Sequence, residues 1–182
     1  MHHQTFVLSR RPAPLGEMLV LCDEHGRLRA VDWQDHEARM HALLGRQYPG
    51  VETRIRPGSI DRSFHGAIDA YFAGDHARLD ALQIETGGTD FQRQLWRSLR
   101  TIPAGQTISY GELARNLGRP DASRAVGQAN GANPISIVVP CHRVIGSNAS
   151  LTGYGGGIAR KQWLLQHEGF AAGSERQRPL EF

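Results

Sequence analysis

Two adjacent glycines divide this chain. Gly87-Gly88 separates a first half of strand-like composition from a second half that opens on Thr89-Asp90-Phe91-Gln92. A threonine with glutamine three residues later is a capping box, in which each side chain satisfies a backbone N–H that the first helical turn leaves unpaired. Glycine is the residue most costly to order, so a pair of them sits best at a boundary. The expected organisation is an α+β scaffold domain over 1–86, a second domain over 87–170 and a flexible tail over 171–182.

Within the first half, Gln4–Ser9, Met18–Cys22 and Leu28–Trp33 read as strands, and Asp23–Gly26 as the hairpin turn between the last two. A helix is expected over His36–Arg46. A second is expected where Ile60, Phe64, Ile68 and Phe72 recur every four residues with Tyr71 alongside, closed by Gly74. Leu82–Thr86 reads as a last strand or an extended linker.

In the second half, Phe91, Leu95 and Leu99 form one apolar stripe of the helix that Thr89 opens, and Pro103-Ala104-Gly105 breaks the chain after it. Ser109-Tyr110-Gly111-Glu112 is a second capping box, starting a short helix through Leu113, Ala114 and Leu117. Gly118-Arg119-Pro120 turns the chain, and Asp121 can cap a third helix running to about Asn130. Two short helices joined by a glycine-containing turn fit a helix-turn-helix. Asn133 to Pro140, an apolar run bracketed by prolines, reads as a buried extended segment that delivers the chain to Cys141. A loop from Gly146 to Gly157 leads to a last amphipathic helix over Ile158–His167, ending at Glu168-Gly169. The fold class is therefore α/β of the α+β kind: a small N-terminal β-sheet with helices, then a mostly helical part carrying a winged-helix-like helix-turn-helix.

Charge is unevenly spread. Residues 1–89 hold ten arginines and twelve acidic residues, a net −2; residues 90–182 hold eleven basic and six acidic residues, a net +5. A basic half suits an anionic partner such as nucleic acid, although a solvated surface would read the same. No run approaches about 18 apolar residues, and the N-terminus lacks the apolar stretch of a signal peptide, so a soluble cytoplasmic protein without a membrane partner is expected. A reducing compartment keeps Cys22 and Cys141 as thiols.

The chemistry concentrates at Pro140-Cys141-His142-Arg143-Val144. A thiol is a weak nucleophile until it becomes a thiolate, and an adjacent histidine, an arginine and a basic half should each favour that form. A shielded cysteine also needs an internal base. Taken alone, the pair more often describes a packed core thiol beside a satisfied histidine.

The surroundings change that balance. Asn133-Pro134 and the aliphatic run precede the motif; Gly153-Tyr154-Gly155-Gly156-Gly157 and Trp163-Leu164-Leu165-Gln166-His167-Glu168-Gly169 follow it. Gly87 to Gln92, Ile102-Pro103, Ser109-Tyr110-Gly111, Arg124-Ala125-Val126-Gly127 and Ala129-Asn130-Gly131 occur in the same order. Together they resemble the O6-alkylguanine-DNA alkyltransferases, the methylated-DNA–protein-cysteine methyltransferases, from about Gly87 to Gly169. Pro14-Leu15-Gly16 and Tyr71-Phe72-Ala73-Gly74 extend the likeness to the single-chain bacterial, Ogt-like form.

The resemblance implies repair by direct reversal: one irreversible transfer of the alkyl group of O6-alkylguanine, and of O4-alkylthymine, to Cys141. It implies that His142 is the base acting through a water, that Glu168 orients His142, and that Asn133 steadies the active-site turn, a relay with the logic of a protease triad. Helix-terminal solvation and a plain turn residue remain readings of Glu168 and Asn133. The target oxygen lies inside the duplex, so the nucleotide must swing out. The resemblance places the helix-turn-helix in the minor groove, with Arg124 filling the vacated stack and Tyr110 helping rotation and donating a proton toward the leaving ring. Ser109, Ala125, Gly127, Ala129 and Gly131 fall in the implied DNA-contacting set; the small ones suit tight packing inside the protein equally well. The carbonyls of Cys141 and Val144 should face the exocyclic amine, with Tyr154 and the Gly155 amide near the alkylated oxygen. Some relatives carry serine at the position of Gly155, so a roomier pocket is expected here.

No metal or cofactor is expected: Cys22 with His25 is a thin basis for the zinc that some relatives carry. The expected partner is double-stranded DNA containing O6-alkylguanine, bound by a monomer with no obligate protein partner. Three other classes fit parts of the pattern: a lesion-binding module without chemistry, a transcription regulator and a Cys-His hydrolase. Cys141 argues against the first, and the shortness of the chain against the second. The third would need an oxyanion hole and would turn over repeatedly.

Overall fold

The structure, a computed structural model, describes residues 3–170. The tail expected over 171–182 lies outside the described residues.

The first half is a four-stranded sheet of β1 (His3–Arg11), β2 (Met18–Asp23), β3 (Leu28–Trp33) and β4 (Glu52–Pro57), with α1 (Glu37–Gln47) and α2 (Arg62–Phe72) packed against it. Strand order is β3-β2-β1-β4, antiparallel except for the parallel β1–β4 pair. Strand β2 is buried along its whole length, and the two-residue period sorts its side chains between two cores. Met18, Val20 and Cys22 face α2 and the second half of the chain, whereas Leu19 and Leu21 face Met40 and Leu44 of α1. The three expected strands, the hairpin and both helices are present. Strand β4 was not expected. Its Arg54, Arg56 and Pro57 carry no apolar pattern, because it is an exposed edge strand and those residues discourage further pairing.

The second half contains α3 (Asp90–Leu99), β5 (Ile108–Ser109), α4 (Tyr110–Asn116), α5 (Ser123–Gly131), β6 (Val144–Ile145) and α6 (Ile158–His167). Both capping boxes form with reciprocal bonds, at Thr89/Gln92 and Ser109/Glu112. Asp121 does not cap α5: the N-cap is Ala122 and it has no side-chain bond. The stripe of α3 also includes Trp96, whose Nε1 donates to the Ala129 carbonyl at 2.9 Å and ties α3 to α5.

Residues 133–140 are buried throughout, as expected, but they are not an extended segment. Only Ile135 makes a strand-like bridge, to Val31 of β3, through Val31 N–H to the Pro134 carbonyl and Ser136 N–H to the Val31 carbonyl, each at 2.9 Å. The chain then winds into a turn with Ile137 at φ 68°, left-handed space that a β-branched residue rarely enters. Residues 83–85 bridge β3 at Leu28 in the same manner. The free edge of β3 is thus covered twice, once by the linker and once by the segment leading to Cys141. One apolar core, with Val20, Trp33, Ile68 and Tyr71 beside Leu95, Val126, Val139 and Leu164, runs through both halves. Among the described residues, no helix is long and apolar enough to cross a membrane.

Candidate active site

The turn before Cys141 is wired by one side chain. Asn133 accepts from the Ile135 N–H at 3.0 Å through Oδ1, and its Nδ2 donates to the Val139 carbonyl at 2.8 Å and to Cys141 Sγ at 3.0 Å. Only an amide, with acceptor and donors on one planar head, can bond both sides of a turn and still reach a sulfur. Asn130 at the end of α5 adds a 3.2 Å bond to the Cys141 carbonyl.

Cys141 is 4 % exposed. Burial pushes its thiol above the ordinary value, although Asn133, Arg39 and Lys161 oppose that shift. The expectation that His142 and Arg143 would favour a resting thiolate is therefore corrected. The guanidinium of Arg143 is directed away, onto Glu168, and burial outweighs the positive groups that do act on the sulfur.

Cys141–Arg143 form a single 3-10 turn, and all three side chains are buried. The tight turn sends His142 and Arg143 to the C-terminal end of α6. His142 Nε2 lies 2.9 Å from Glu168 Oε1, while Arg143 Nε and Nη2 hold Oε2 and Oε1 at 2.8 and 2.9 Å. A third donor, the hydroxyl of Tyr71 on α2, reaches Oε1 at 2.8 Å. Arg143 Nη1 also donates to the Ile102 carbonyl. Gly105, at φ 78°, packs so closely on the Glu168 carbonyl that an added Cβ would lie 2.8 Å from that oxygen.

Burial works to raise Glu168, but the bonds and charges of His142 and Arg143 outweigh it and hold the carboxyl well below the usual carboxylate range. Burial lowers His142, and Arg143 and Lys161 reinforce that against the pull of Glu168. With Arg143 already balancing the carboxylate, the imidazole is neutral near pH 7. An ionised Glu168 can only accept, so Nε2 carries the ring proton and Nδ1 is bare. Nδ1 is buried and bonds to no protein atom.

Lys161 is fully buried on α6, where burial lowers its ammonium to about 8. Its Nζ donates to the carbonyls of Val144 (2.6 Å), Thr152 (2.8 Å) and Gly153 (3.4 Å), pinning β6 to the glycine-rich loop. Of the two carbonyls expected to face a base, that of Val144 already holds the Lys161 ammonium, and that of Cys141 accepts from both Asn130 and the Val144 N–H. Tyr154 stands edge-on to His142, with ring centroids 6.4 Å apart. Tyr110, half buried at the start of α4, donates to the Thr152 carbonyl at 3.1 Å, and Gly127 lies 3.9 Å from its ring, measured from an added Cβ.

Of the residues expected at a nucleic-acid face, Arg124, Ala125 and Gly131 are exposed on α5, and Ser109 and Gly127 are half buried. Ala129 is corrected: it points into the core and supplies the carbonyl that Trp96 uses. The roomier pocket expected at Gly155 is corrected too. The space is filled by Arg39 of α1, whose guanidinium carbon would lie 2.3 Å from a Cβ there. Arg39 is itself held by Asp32 at 2.5 Å and by the carbonyls of Gly131 and Asn133 at 2.9 and 3.1 Å.

Sequence reasoning missed Arg39, Tyr71, Asn130 and Lys161. For Lys161 a signal existed: Lys161, Leu164, Leu165 and Glu168 share the inward face of α6 at helical spacing, and charged residues at core positions need buried partners. For Tyr71 and Arg39 there was none, because the groups of the second half that they hold, Glu168 and the Gly131 and Asn133 carbonyls, lie about a hundred positions away.

Residues 90–170 match the model of the 6-O-methylguanine DNA methyltransferase DNA binding domain, and residues 10–86 that of the 6-O-methylguanine DNA methyltransferase ribonuclease-like domain. The methylated-DNA–protein-cysteine methyltransferase of Salmonella typhimurium is 55% identical over 161 residues, covering 86% of this chain and 92% of its own. That of Methanosarcina acetivorans is 40% identical over 157 residues, covering 86% and 94%. Among solved structures, Mycobacterium tuberculosis OGT in complex with DNA superposes with a TM-score of 0.71 at 38% identity, covering 90% of this chain and 92% of that one.

Proposed function

The chain belongs to the 6-O-methylguanine DNA methyltransferase family, a DNA-binding repair protein that transfers alkyl groups from DNA to a protein cysteine, and from that premise we propose that Cys141 is the acceptor and His142 its base. Support comes from two sets of bonds on adjacent residues: a buried thiol held by Asn133, and beside it in sequence a neutral histidine whose Nε2–H is committed to an ionised Glu168.

The steps follow from the protonation states. Nδ1 of His142 takes the Cys141 proton through a water, and the Glu168 carboxylate stabilises the imidazolium that forms. The thiolate attacks the alkyl carbon in line with the C–O6 bond. A C–S bond forms as the C–O bond breaks, and its electron pair goes to the guanine. Tyr110 donates a proton toward the leaving ring and is itself replenished from solvent. The thioether has no route back, so each molecule acts once. Burial is part of the device: the thiol stays protonated until a base fills the pocket and the relay takes the proton.

Delivery requires the nucleotide to leave the stack. Arg124, exposed on α5, takes its place from the minor groove, with Ser109, Ala125, Gly127 and Gly131 along the approach. Tyr154, the Gly155 amide and the Cys141 and Val144 carbonyls receive the base. O4-alkylthymine is a second substrate. The protein works as a monomer in the cytoplasm, a reducing compartment that keeps the acceptor a thiol.

Intact-protein mass after incubation with a duplex containing O6-methylguanine tests the assignment. A gain of about 14 Da, one methyl for one hydrogen at the thiol nucleophile, should map to Cys141 and vanish in Cys141→Ala. Binding of the duplex with no mass gain would reduce the protein to a lesion binder.

A further inference from the structure

We propose that Tyr71, carried by α2 in the first half of the chain, is a positioning residue for alkyl transfer: its hydroxyl fixes the Glu168 oxygen that also receives His142. This rests on reading Cys141, His142 and Glu168 as the relay. Tyr71 is fully buried, and its hydroxyl lies 2.8 Å from Glu168 Oε1, the oxygen 2.9 Å from His142 Nε2. One residue before Glu168, His167 Nε2 bonds to the Tyr71 carbonyl at 2.8 Å. Tyrosine and α6 terminus are thus joined at two points, through backbone and side chain.

Packing alone would be served by phenylalanine; the hydroxyl is present where a carboxylate needs a donor. Oε1 accepts from His142, Arg143 and Tyr71, and Oε2 from Arg143. Arg143 clamps the carboxylate in one plane but leaves Oε1 to be shared. A donor on the far side of Oε1 fixes which lone pair is aimed at the imidazole, as an outer group does for a metal-binding or triad histidine. The ring is held in turn by three edge-on aromatics: Phe72 of α2, His76 of the 3-10 turn His76–Ala81, and His167 of α6, each with its centroid 5.3 Å from that of Tyr71. The charged and titratable groups around the Tyr71–Glu168 bond are His142 and Arg143 from the turn at Cys141–Arg143, His167 from α6, His76, and beyond His142 the hydroxyl of Tyr154 and the ammonium of Lys161. Burial lowers His76, and the guanidinium of Arg143 is the cation bonded to the carboxylate.

Tyr71→Phe removes the hydroxyl and keeps the ring. A donor lost from Glu168 leaves the carboxylate more negative toward His142, so the imidazole holds its proton more tightly. In single-turnover transfer from an O6-methylguanine duplex, the acid limb of the rate profile should move to higher pH. The plateau rate should fall about fivefold, the scale of one hydrogen bond to a charged group shared among several donors. Affinity for the duplex should not change. An unchanged plateau and limb would overturn the proposal, and so would a slower rate with an unmoved limb, which marks damage to packing. His142→Ala run in parallel separates the two layers. If it transfers at the parental rate, the relay itself is wrong; if it is slow while Tyr71→Phe is unaffected, only the role of Tyr71 falls. Should the phenylalanine chain not fold, the unmodified protein still decides: a Tyr71 hydroxyl proton donated to a buried carboxylate resonates downfield and exchanges slowly, and rapid exchange with water overturns the proposal.

Discussion

At the scale of single residues, the centre is organised around protons that burial has displaced. Glu168 and His142 both have native pKa values below their ordinary ones. For such groups the unfolded chain binds protons that the folded chain refuses, so acid weakens the fold. The loss begins as pH falls below the ordinary histidine value of about 6.5 and deepens below about 4.3, where an unfolded glutamate protonates. Melting temperature against pH should be flat near neutrality and fall on the acid side. Glu168→Gln should remove the deeper part of that fall while destabilising the protein by about 3 kcal/mol at neutral pH, because Arg143 is left buried and unpaired. A melting profile of Glu168→Gln that parallels the parent well below about pH 4.3, where an unfolded glutamate protonates, would mean that the carboxylate is not ionised in the folded protein. The two thiols differ in kind. Burial pushes Cys22 up to about 11 with no base bonded to it, whereas Cys141 has an amide on its sulfur and a histidine next in sequence.

Elements set where those residues stand, and here the sequence was legible wherever the determinant was local. The capping boxes at Thr89/Gln92 and Ser109/Glu112 could be read from four residues each, and both helices start where expected. Thr89→Ala should cost about 1 kcal/mol in chemical denaturation, the usual value of a lost N-cap. A midpoint equal to the parent's would show α3 to be held by Trp96 and the core alone. Helix α6 ends at Glu168 as expected for the same reason: its apolar spacing and Gly169, at φ 84°, are local signals. The turn before Cys141 was misread because aliphatic composition reports burial and not backbone shape. What bends it is Asn133, through bonds six and eight residues ahead, and the bridge to Val31 a hundred residues back. Strand β4 was invisible because an edge strand is recognised by its neighbour and not by its own residues. Cys141, His142, Glu168 and Asn133 could be assembled only through the likeness of ordered motifs, since no spacing rule brings residue 168 to residue 142.

Across the whole molecule, the second half carries the reactive groups and the first half holds them in place. Among the ties that cross between them are the bridge from β3 to Ile135, the hydroxyl of Tyr71 on Glu168, and Arg39 running from Asp32 to the Gly131 and Asn133 carbonyls. The last can be tested by a double-mutant cycle. Gly155→Ser should drive the guanidinium off both carbonyls and slow transfer, and Arg39→Ala should slow it by releasing the Asn133 turn. The serine should do far less harm in the Arg39→Ala background, with a coupling of about 1–3 kcal/mol between sites in contact. Additive effects on the transfer rate would show that the two positions do not share space. Because the guanidinium stands where a side chain at 155 would go, a lineage cannot change the two positions independently. A chain that gains a side chain at 155 must already have lost or rerouted the arginine at 39. Positions 116 residues apart should therefore vary together among descendants of this fold, a record in inheritance of one shared volume.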